Sequence, residues 1–166
     1  MQLLIVRATD VPTFVQFGSA DIGIVGKDTL IEHGGDGLAE LLDLKIAACR
    51  LSVAAPVGYE PKPTAKLRVA TKYTRSAEMY YASLGQQIDL VKLYGSMEIA
   101  PLTGLSDVIV DLVDTGNTLK ANNLVEGEKI YDISSRLIAN AASLRTKYAR
   151  IAKIVDQLDE NLNAIS

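Results

Sequence analysis

The residues of this chain best suited to chemistry lie between Asp107 and Thr118, in the stretch Asp-Val-Ile-Val-Asp-Leu-Val-Asp-Thr-Gly-Asn-Thr. Val108 to Val113 is apolar and mostly β-branched apart from Asp111, which predicts a strand covered on both faces. A carboxylate inside such a strand needs a partner or a ligand. The chain then turns through Asp114-Thr-Gly-Asn-Thr118, where Gly116 can take positive φ, small residues allow close backbone approach and Thr118-Leu-Lys-Ala begins a helix. Successive N–H groups at such a turn form an anion nest, and the hydroxyls of Thr115 and Thr118 add two donors. This is the polarity of a monophosphate cradle with a carboxylate at its lip, suited to a phosphoribosyl group, anionic at its 5′-phosphate and rich in ribose hydroxyls. The same spacing also serves an ordinary strand–turn–helix junction capped by Asp or Thr.

The elements around this stretch alternate between strand and helix. Gln2 to Val6 is expected to be a strand running into Arg7-Ala-Thr-Asp10, with Asp10 capping a helix that carries Pro12 in its first turn and ends at Gly18. Asp21 to Val25 is a second strand, and Gly26-Lys-Asp28 leads into another helix with Asp28 or Thr29 as cap. This predicts a parallel or mixed sheet with helices on its faces, and Arg7 and Lys27 follow the carboxyl ends of strands, where open α/β sheets bind ligands. Solvated surface charge is the alternative for both. His33 sits in a Gly-rich loop and reads as a surface residue.

Lys45 to Ala55 reads as one apolar strand, and Pro56 to Pro63 holds three of the five prolines, a stiff connection that marks the first crossing between two lobes. Strand Leu67–Thr71, helix Ser76–Leu84 capped by Gly85, and strand Ile88–Leu93 open the second lobe. Lys72 then stands at a strand–helix turn, able to point its charge into a cleft. At the next turn Gly95 gives the bend, Ser96 caps a short helix and Glu98 lies in its first turn. Leu124–Ile133 and Ser135–Ile138 read as strands returning to the first lobe. From Ala139 onward a single helix is expected, whose seam of Leu144, Tyr148, Ile151, Val155, Leu158 and Leu162 packs on the first lobe or meets another subunit.

With 166 residues, 48% hydrophobic and 22% charged, the chain suits one domain or two small lobes. A net charge of −3 without a Lys/Arg cluster argues against nucleic acid as a partner. The lone Cys49 excludes an internal disulfide and a multi-cysteine metal site, and with one histidine a conventional zinc site is not expected. No stretch reaches the length of a membrane span and no signal-peptide pattern is present, so a cytoplasmic location is expected.

Asp111-Leu-Val-Asp-Thr-Gly-Asn-Thr-Leu119, followed by Asn123-Leu-Val125, resembles the phosphoribosyl-diphosphate loop of the ATP phosphoribosyltransferases. Val6-Arg-Ala-Thr-Asp-Val-Pro12, Ala20-Asp-Ile-Gly-Ile-Val-Gly-Lys-Asp28, Ala70-Thr-Lys-Tyr73, Lys92 to Leu102 and Ser134 to Asn140 resemble the same family in the same order. The resemblance implies an α/β, type II periplasmic-binding-protein-like fold of two lobes, residues 1–58 with 132–166 and residues 59–131, around a cleft. It implies transfer of the phosphoribosyl group of phosphoribosyl diphosphate to N1 of ATP, the first step of histidine biosynthesis. Thr115, Gly116, Asn117 and Thr118 would hold the 5′-phosphate, with Asp111 and Asp107 on the ribose hydroxyls. Glu98 would face those hydroxyls or the metal, while Arg7, Asp21 and Lys72 would serve ATP, with Asp111, Glu98 and Lys72 as the catalytic set.

Mg²⁺ would be bound mainly through substrate phosphates. The short form of the family implies a homo-oligomer that also joins a regulatory subunit similar to histidyl-tRNA synthetase. The family pattern places a further strand and a basic Pro-Lys-Gly-Arg-Leu-type turn ahead of the Val6-Arg7 motif. If the 166 residues are the whole polypeptide, a weakened protein with an exposed sheet edge is expected. The competing classes are a non-catalytic small-ligand module of the same two-lobe fold and an inactive shortened fragment.

Overall fold

The computed structural model describes residues 2–61 and 66–165, so residues 62–65 of the expected proline-rich connection lie outside the described residues. A 3-10 turn, Ala8–Asp10, precedes α1 (Val11–Gln16), β1 (Ile22–Gly26), α2 (Lys27–His33), β2 (Leu38–Asp43) and β3 (Cys49–Pro56). There follow β4 (Leu67–Thr71), α3 (Thr74–Ser83), β5 (Ile88–Lys92), α4 (Ile99–Leu102), β6 (Val108–Val113) and α5 (Asn117–Ala121). β7 (Leu124–Ile133), β8 (Ser135–Asn140), α6 (Ala141–Thr146) and α7 (Tyr148–Ile165) complete the chain. Packing divides it into two units, Met1–Ala48 with Ile133–Ser166, and Cys49–Asp132.

The first unit is built on a three-stranded sheet in the order β1-β8-β2, with both outer strands antiparallel to β8. Val15, Val25, Leu30 and Ile138 form its core. Gly23 lets α1 lie close on β1, because a Cβ there would stand 2.7 Å from Val11 Cγ1 and 2.8 Å from Val15 Cγ2. Gln2 to Val6, expected to be a strand, takes no regular structure, and Leu3 and Ile5 are 79% and 87% exposed. Without a ladder partner an extended segment is not a strand. α1 begins at Val11, and the Asp10 side chain makes no cap hydrogen bond to it.

The expected single strand from Lys45 is interrupted, because Lys45 and Ala47 take positive φ (54° and 52°), and regular pairing begins only at Cys49. β3 then pairs with β6, so this strand, read from sequence as part of the first lobe, belongs to the other sheet. The helix expected from Ala139 is also divided. β8 continues to Asn140, and α6 and α7 are separated at Lys147. Of the predicted seam, Ile151 is buried whereas Tyr148 is 66% exposed.

The second unit is a five-stranded sheet in the order β5-β4-β6-β3-β7. β4 is parallel to both β5 and β6, and β3 is antiparallel to β6, so this sheet is mixed. β6 is its central strand, with Val108, Ile109 and Val110 buried, as its apolar sequence requires. The paired residues Arg50 with Val113, Ser52 with Asp111 and Ala54 with Ile109 share one face. Met97, Ala100 and Leu119 join Ala54, Ile109 and Val113 in the core.

Candidate functional site

β6 delivers the chain into the loop at 114–116. Gly116 has φ 76° and is the N-cap position of α5, so the turn needs a left-handed residue there. A Cβ at Gly116 would meet only Val113 Cγ1 at 3.8 Å, so the constraint is the backbone conformation and not space. Thr115 Oγ1 accepts the Asn117 N–H at 3.4 Å, which closes the turn. The loop and the start of α5 line a pocket of about 330 Å³, with Asp111, Asp114, Thr115, Gly116, Asn117, Thr118 and Glu98 in its lining. A second depression, along α7 at Ile154 to Asn161, offers Glu160 as its ionisable group and no catalytic arrangement.

Asp111 enters this pocket from the central strand. Burial raises its carboxyl above the ordinary range; the Leu112 N–H, donating at 2.8 Å, and the positive charge of Lys72 oppose that, while Glu98 adds to it. Lys72 and Glu98 therefore both act electrostatically on Asp111. Lys72 is held at its turn by buried Thr71, whose hydroxyl donates to the Val110 carbonyl at 2.6 Å and accepts the Tyr73 N–H at 2.9 Å. The Lys72 Nζ lies 4.7 Å from the Tyr73 ring centre. Glu98 is set by its neighbour Met97, which is buried, and is itself the N-cap residue of α4. Ser96, expected to cap that helix, instead takes φ 53° two residues before its N-cap.

Asp107 is not brought to the pocket. It lies at the amino end of β6, where Arg68 Nη2 donates to its Oδ1 at 2.9 Å and the Arg68 backbone N–H donates to its Oδ2 at 2.9 Å. Arg68 Nη1 also donates to the Gly104 carbonyl at 2.8 Å, so this corner is a structural clamp between β4 and the approach to β6. Arg7 and Asp21 belong to the first unit. Arg7 is exposed. Asp21 accepts from Lys147 at 2.8 Å and from the Ser143 hydroxyl at 2.7 Å; Lys147, followed by Ser143, pulls its carboxyl below the ordinary range. Lys27 pairs with Glu40, which also accepts from Arg136 at 3.1 Å.

Sequence reasoning gave no role to Asp114, Arg50 or Glu126. Asp114 lies inside the loop motif and lines the pocket. Arg50 Nη1 donates to the Asp114 carbonyl at 2.9 Å, and its Nε and Nη2 both meet the Glu126 carboxylate. Alternation along Cys49-Arg-Leu-Ser-Val could have put Arg50 and Ser52 on one face, but their link to Glu126 depends on which strands are neighbours. Among the described residues no group of three or more His, Cys, Asp or Glu side chains is gathered to hold a metal ion. No helix among them is long and apolar enough to cross a membrane.

The family model described as HisG: ATP phosphoribosyltransferase matches residues 7–160. An ATP phosphoribosyltransferase of Acidovorax sp. (strain JS42) is 59% identical over 160 residues, covering 94% of this chain and 74% of the relative. That of Hahella chejuensis is 58% identical over 164 residues, covering 99% of this chain and 77% of the relative. Among solved structures, a chain of the ATP phosphoribosyl transferase (HisG:HisZ) complex from Thermotoga maritima matches with a TM-score of 0.86 and 36% identity, over 96% of this chain and 79% of that one. The two sheets and their helices thus form an α/β, periplasmic-binding-protein-like fold. On the strength of a family match across nearly its whole length, the chain belongs to the ATP phosphoribosyltransferases, the transferases that open histidine biosynthesis.

Proposed function

We propose that the pocket at the carboxyl end of β6 is the phosphoribosyl diphosphate site of this enzyme. The reaction transfers the phosphoribosyl group to N1 of ATP, giving phosphoribosyl-ATP and pyrophosphate, the first step of histidine biosynthesis. The high identity to enzymes of that activity favours it over a non-catalytic ligand module or an inactive fragment. The observation that carries the site reading is one pocket that joins the Thr115–Thr118 loop to Asp111, with Lys72 and Glu98 in electrostatic reach.

In this reading the loop's N–H groups and the Thr118 hydroxyl hold the 5′-phosphate, and Asp111 accepts from the ribose hydroxyls. The adenine N1 lone pair forms the new bond to C1 as the C1–O bond to diphosphate breaks, and pyrophosphate departs with the electron pair. Positive charge develops on the ribose as that bond lengthens, and the carboxylates of Asp111 and Glu98 stabilise it, while Lys72 offsets charge on the phosphates. Arg7 and Asp21 are the candidates for ATP. Arg7 is the more available of the two, because Asp21 is already engaged by Lys147 and Ser143. Asp107, held by Arg68, is left out of the ribose set.

Enzymes of this family work with a metal ion alongside their substrates. The pocket's carboxylates Asp111, Asp114 and Glu98 suit a Mg²⁺ ion carried in on the diphosphate and coordinated mostly by phosphate oxygen and water, and not a resident all-protein cage. The likeness to a HisG:HisZ complex supports assembly with a HisZ-type subunit; the regulatory, synthetase-like character of that subunit, further copies of this chain and a cytoplasmic setting are carried by the family resemblance alone.

Isothermal titration of phosphoribosyl diphosphate with Mg²⁺ into the chain and into Gly116→Asp tests the loop assignment. Aspartate tolerates the left-handed conformation better than most non-glycine residues and its Cβ meets nothing closer than 3.8 Å, so the variant adds a carboxylate to the nest at a cost in backbone strain, for which Gly116→Asn, equally strained and uncharged, is the control. Binding by the parent and at least about a tenfold loss in the variant is expected. Equal binding by the two overturns the assignment.

A further inference from the structure

The loop that holds the phosphate in this reading is only five residues long, and its first member is tied to a side chain from another strand. Arg50, at the start of β3, donates from Nη1 to the Asp114 carbonyl at 2.9 Å. Its other two engaged donors, Nε and Nη2, form a fork on the two oxygens of Glu126 in β7. Glu126 is fixed from a second side by the Ser52 hydroxyl at 2.8 Å, and Ser52 is fully buried. A planar guanidinium held on two oxygens has its remaining N–H directions set, so the Glu126 fork decides where Nη1 points.

The same strand also holds the far end of the segment. The Val57 N–H, just beyond β3, donates to the Asn123 carbonyl at 3.1 Å, two residues after α5. The loop and α5 are therefore fastened to β3 at Asp114 and at Asn123. Arg50 and Ser52 lie opposite Val113 and Asp111 in the β3–β6 register, so this bracing sits on the sheet face that carries Asp111. Arg50 and Glu126 are half-buried, with side-chain exposures of 35% and 26%, where a charged pair is screened less than at the open surface.

We propose that Arg50 is a positioning residue for phosphoribosyl diphosphate, aimed by Glu126 and acting through the Asp114 carbonyl on the geometry of the 114–118 loop. This rests on that loop being the 5′-phosphate site. Arg50 is not required to touch the substrate. Its loss lets the loop's N–H groups diverge from a common focus, which weakens phosphate binding and leaves ATP binding as it was.

The test is calorimetric titration of phosphoribosyl diphosphate with Mg²⁺, and separately of ATP, into the chain and into Arg50→Met, Arg50→Lys, Glu126→Gln and Gly116→Asp, each with its melting temperature recorded. Arg50→Met is expected to raise the Kd for phosphoribosyl diphosphate about tenfold or more, with the ATP Kd within about twofold of the parent. Arg50→Lys, a single ammonium without the fork, recovers part of the loss. Glu126→Gln, which keeps shape and loses charge, shows a smaller loss on the same substrate, and it carries the test alone if Arg50→Met does not fold. Equal weakening of both ligands marks a merely structural pair and overturns the proposal, as does an unchanged Kd for phosphoribosyl diphosphate in both Arg50→Met and Glu126→Gln. If Gly116→Asp binds phosphoribosyl diphosphate like the parent, the phosphate reading of the loop fails and the proposal falls with it. If Gly116→Asp loses binding while the Arg50 and Glu126 variants keep it, only the proposal falls.

Discussion

Burial raises the Asp111 carboxyl, while the Leu112 N–H and Lys72 hold it down and Glu98 pushes it further up. In the free enzyme this carboxylate takes up a proton at a higher pH than an ordinary aspartate, and a protonated Asp111 no longer offers full charge to the ribose. The acid limb of kcat/KM for phosphoribosyl diphosphate is therefore expected above the usual carboxylate range of about 4. A Lys72→Met variant should move the limb upward and Glu98→Gln downward. Asp111→Asn should flatten it and lower kcat/KM by about two orders of magnitude. A limb unaffected by Asp111→Asn would show that another group controls it.

Asp111 and the 114–118 loop could be proposed from the sequence because their motif is contiguous and carries its own turn chemistry, and Lys72 from its strand–helix turn, whereas Glu98 reads as a first-turn residue without the family resemblance. It could not separate Asp107 from Asp111. The two are spaced to share a strand face, but about 13 Å of strand divides them. Only the register against β4 reveals Arg68 beside Asp107.

At the level of elements, Asn140 joins three of them. Its Oδ1 accepts the Ala142 and Ser143 N–H groups at the start of α6, and its Nδ2 donates to the Val15 and Gln16 carbonyls at the end of α1. It is also the last residue of β8 and nearly buried. Asn140→Ala should therefore cost about 2–3 kcal/mol, the loss of a cap with carbonyls left unpaired, read as a lower urea midpoint. A change under about 0.5 kcal/mol would mean that water replaces these bonds.

β6 was legible because Val108, Ile109, Val110 and Val113 are β-branched. β2 was not, because Leu38-Ala-Glu-Leu-Leu-Asp43 consists of good helix formers without alternation and becomes a strand by pairing with β8. The break between α6 and α7 was hidden in the same way, since no proline or glycine marks Lys147.

At the scale of the whole molecule, Asp21 through Lys147 and Ser143, Asp43 chiefly through the Ser134 hydroxyl and Glu126 chiefly through Arg50 are among the described carboxylates that stand below their ordinary range. Each binds its proton less readily when folded than when unfolded. Their stabilisation is complete above the unfolded values of about 4 to 4.5 and is lost as pH falls through the lower folded ones. Asp111, raised by burial, works in the opposite sense and relieves a cost as it protonates. With three groups against one, the urea midpoint should hold between about pH 7 and 5 and fall below about pH 4. A midpoint that rises on acidification would show burial of Asp111 outweighing the other three.

β6 has a paired neighbour on each side, and the 114–116 loop extends from its carboxyl end, held to β3 by Arg50. Sequence variation at 115, 117 and 118 is therefore expected to act on the proposed phosphate site without passing through the core. A library randomised at 115, 117 and 118 with Gly116 kept for its positive φ would be sorted by catalysis more than by folding, so its survivors would describe the chemistry of phosphate capture and say little about the tolerance of the scaffold.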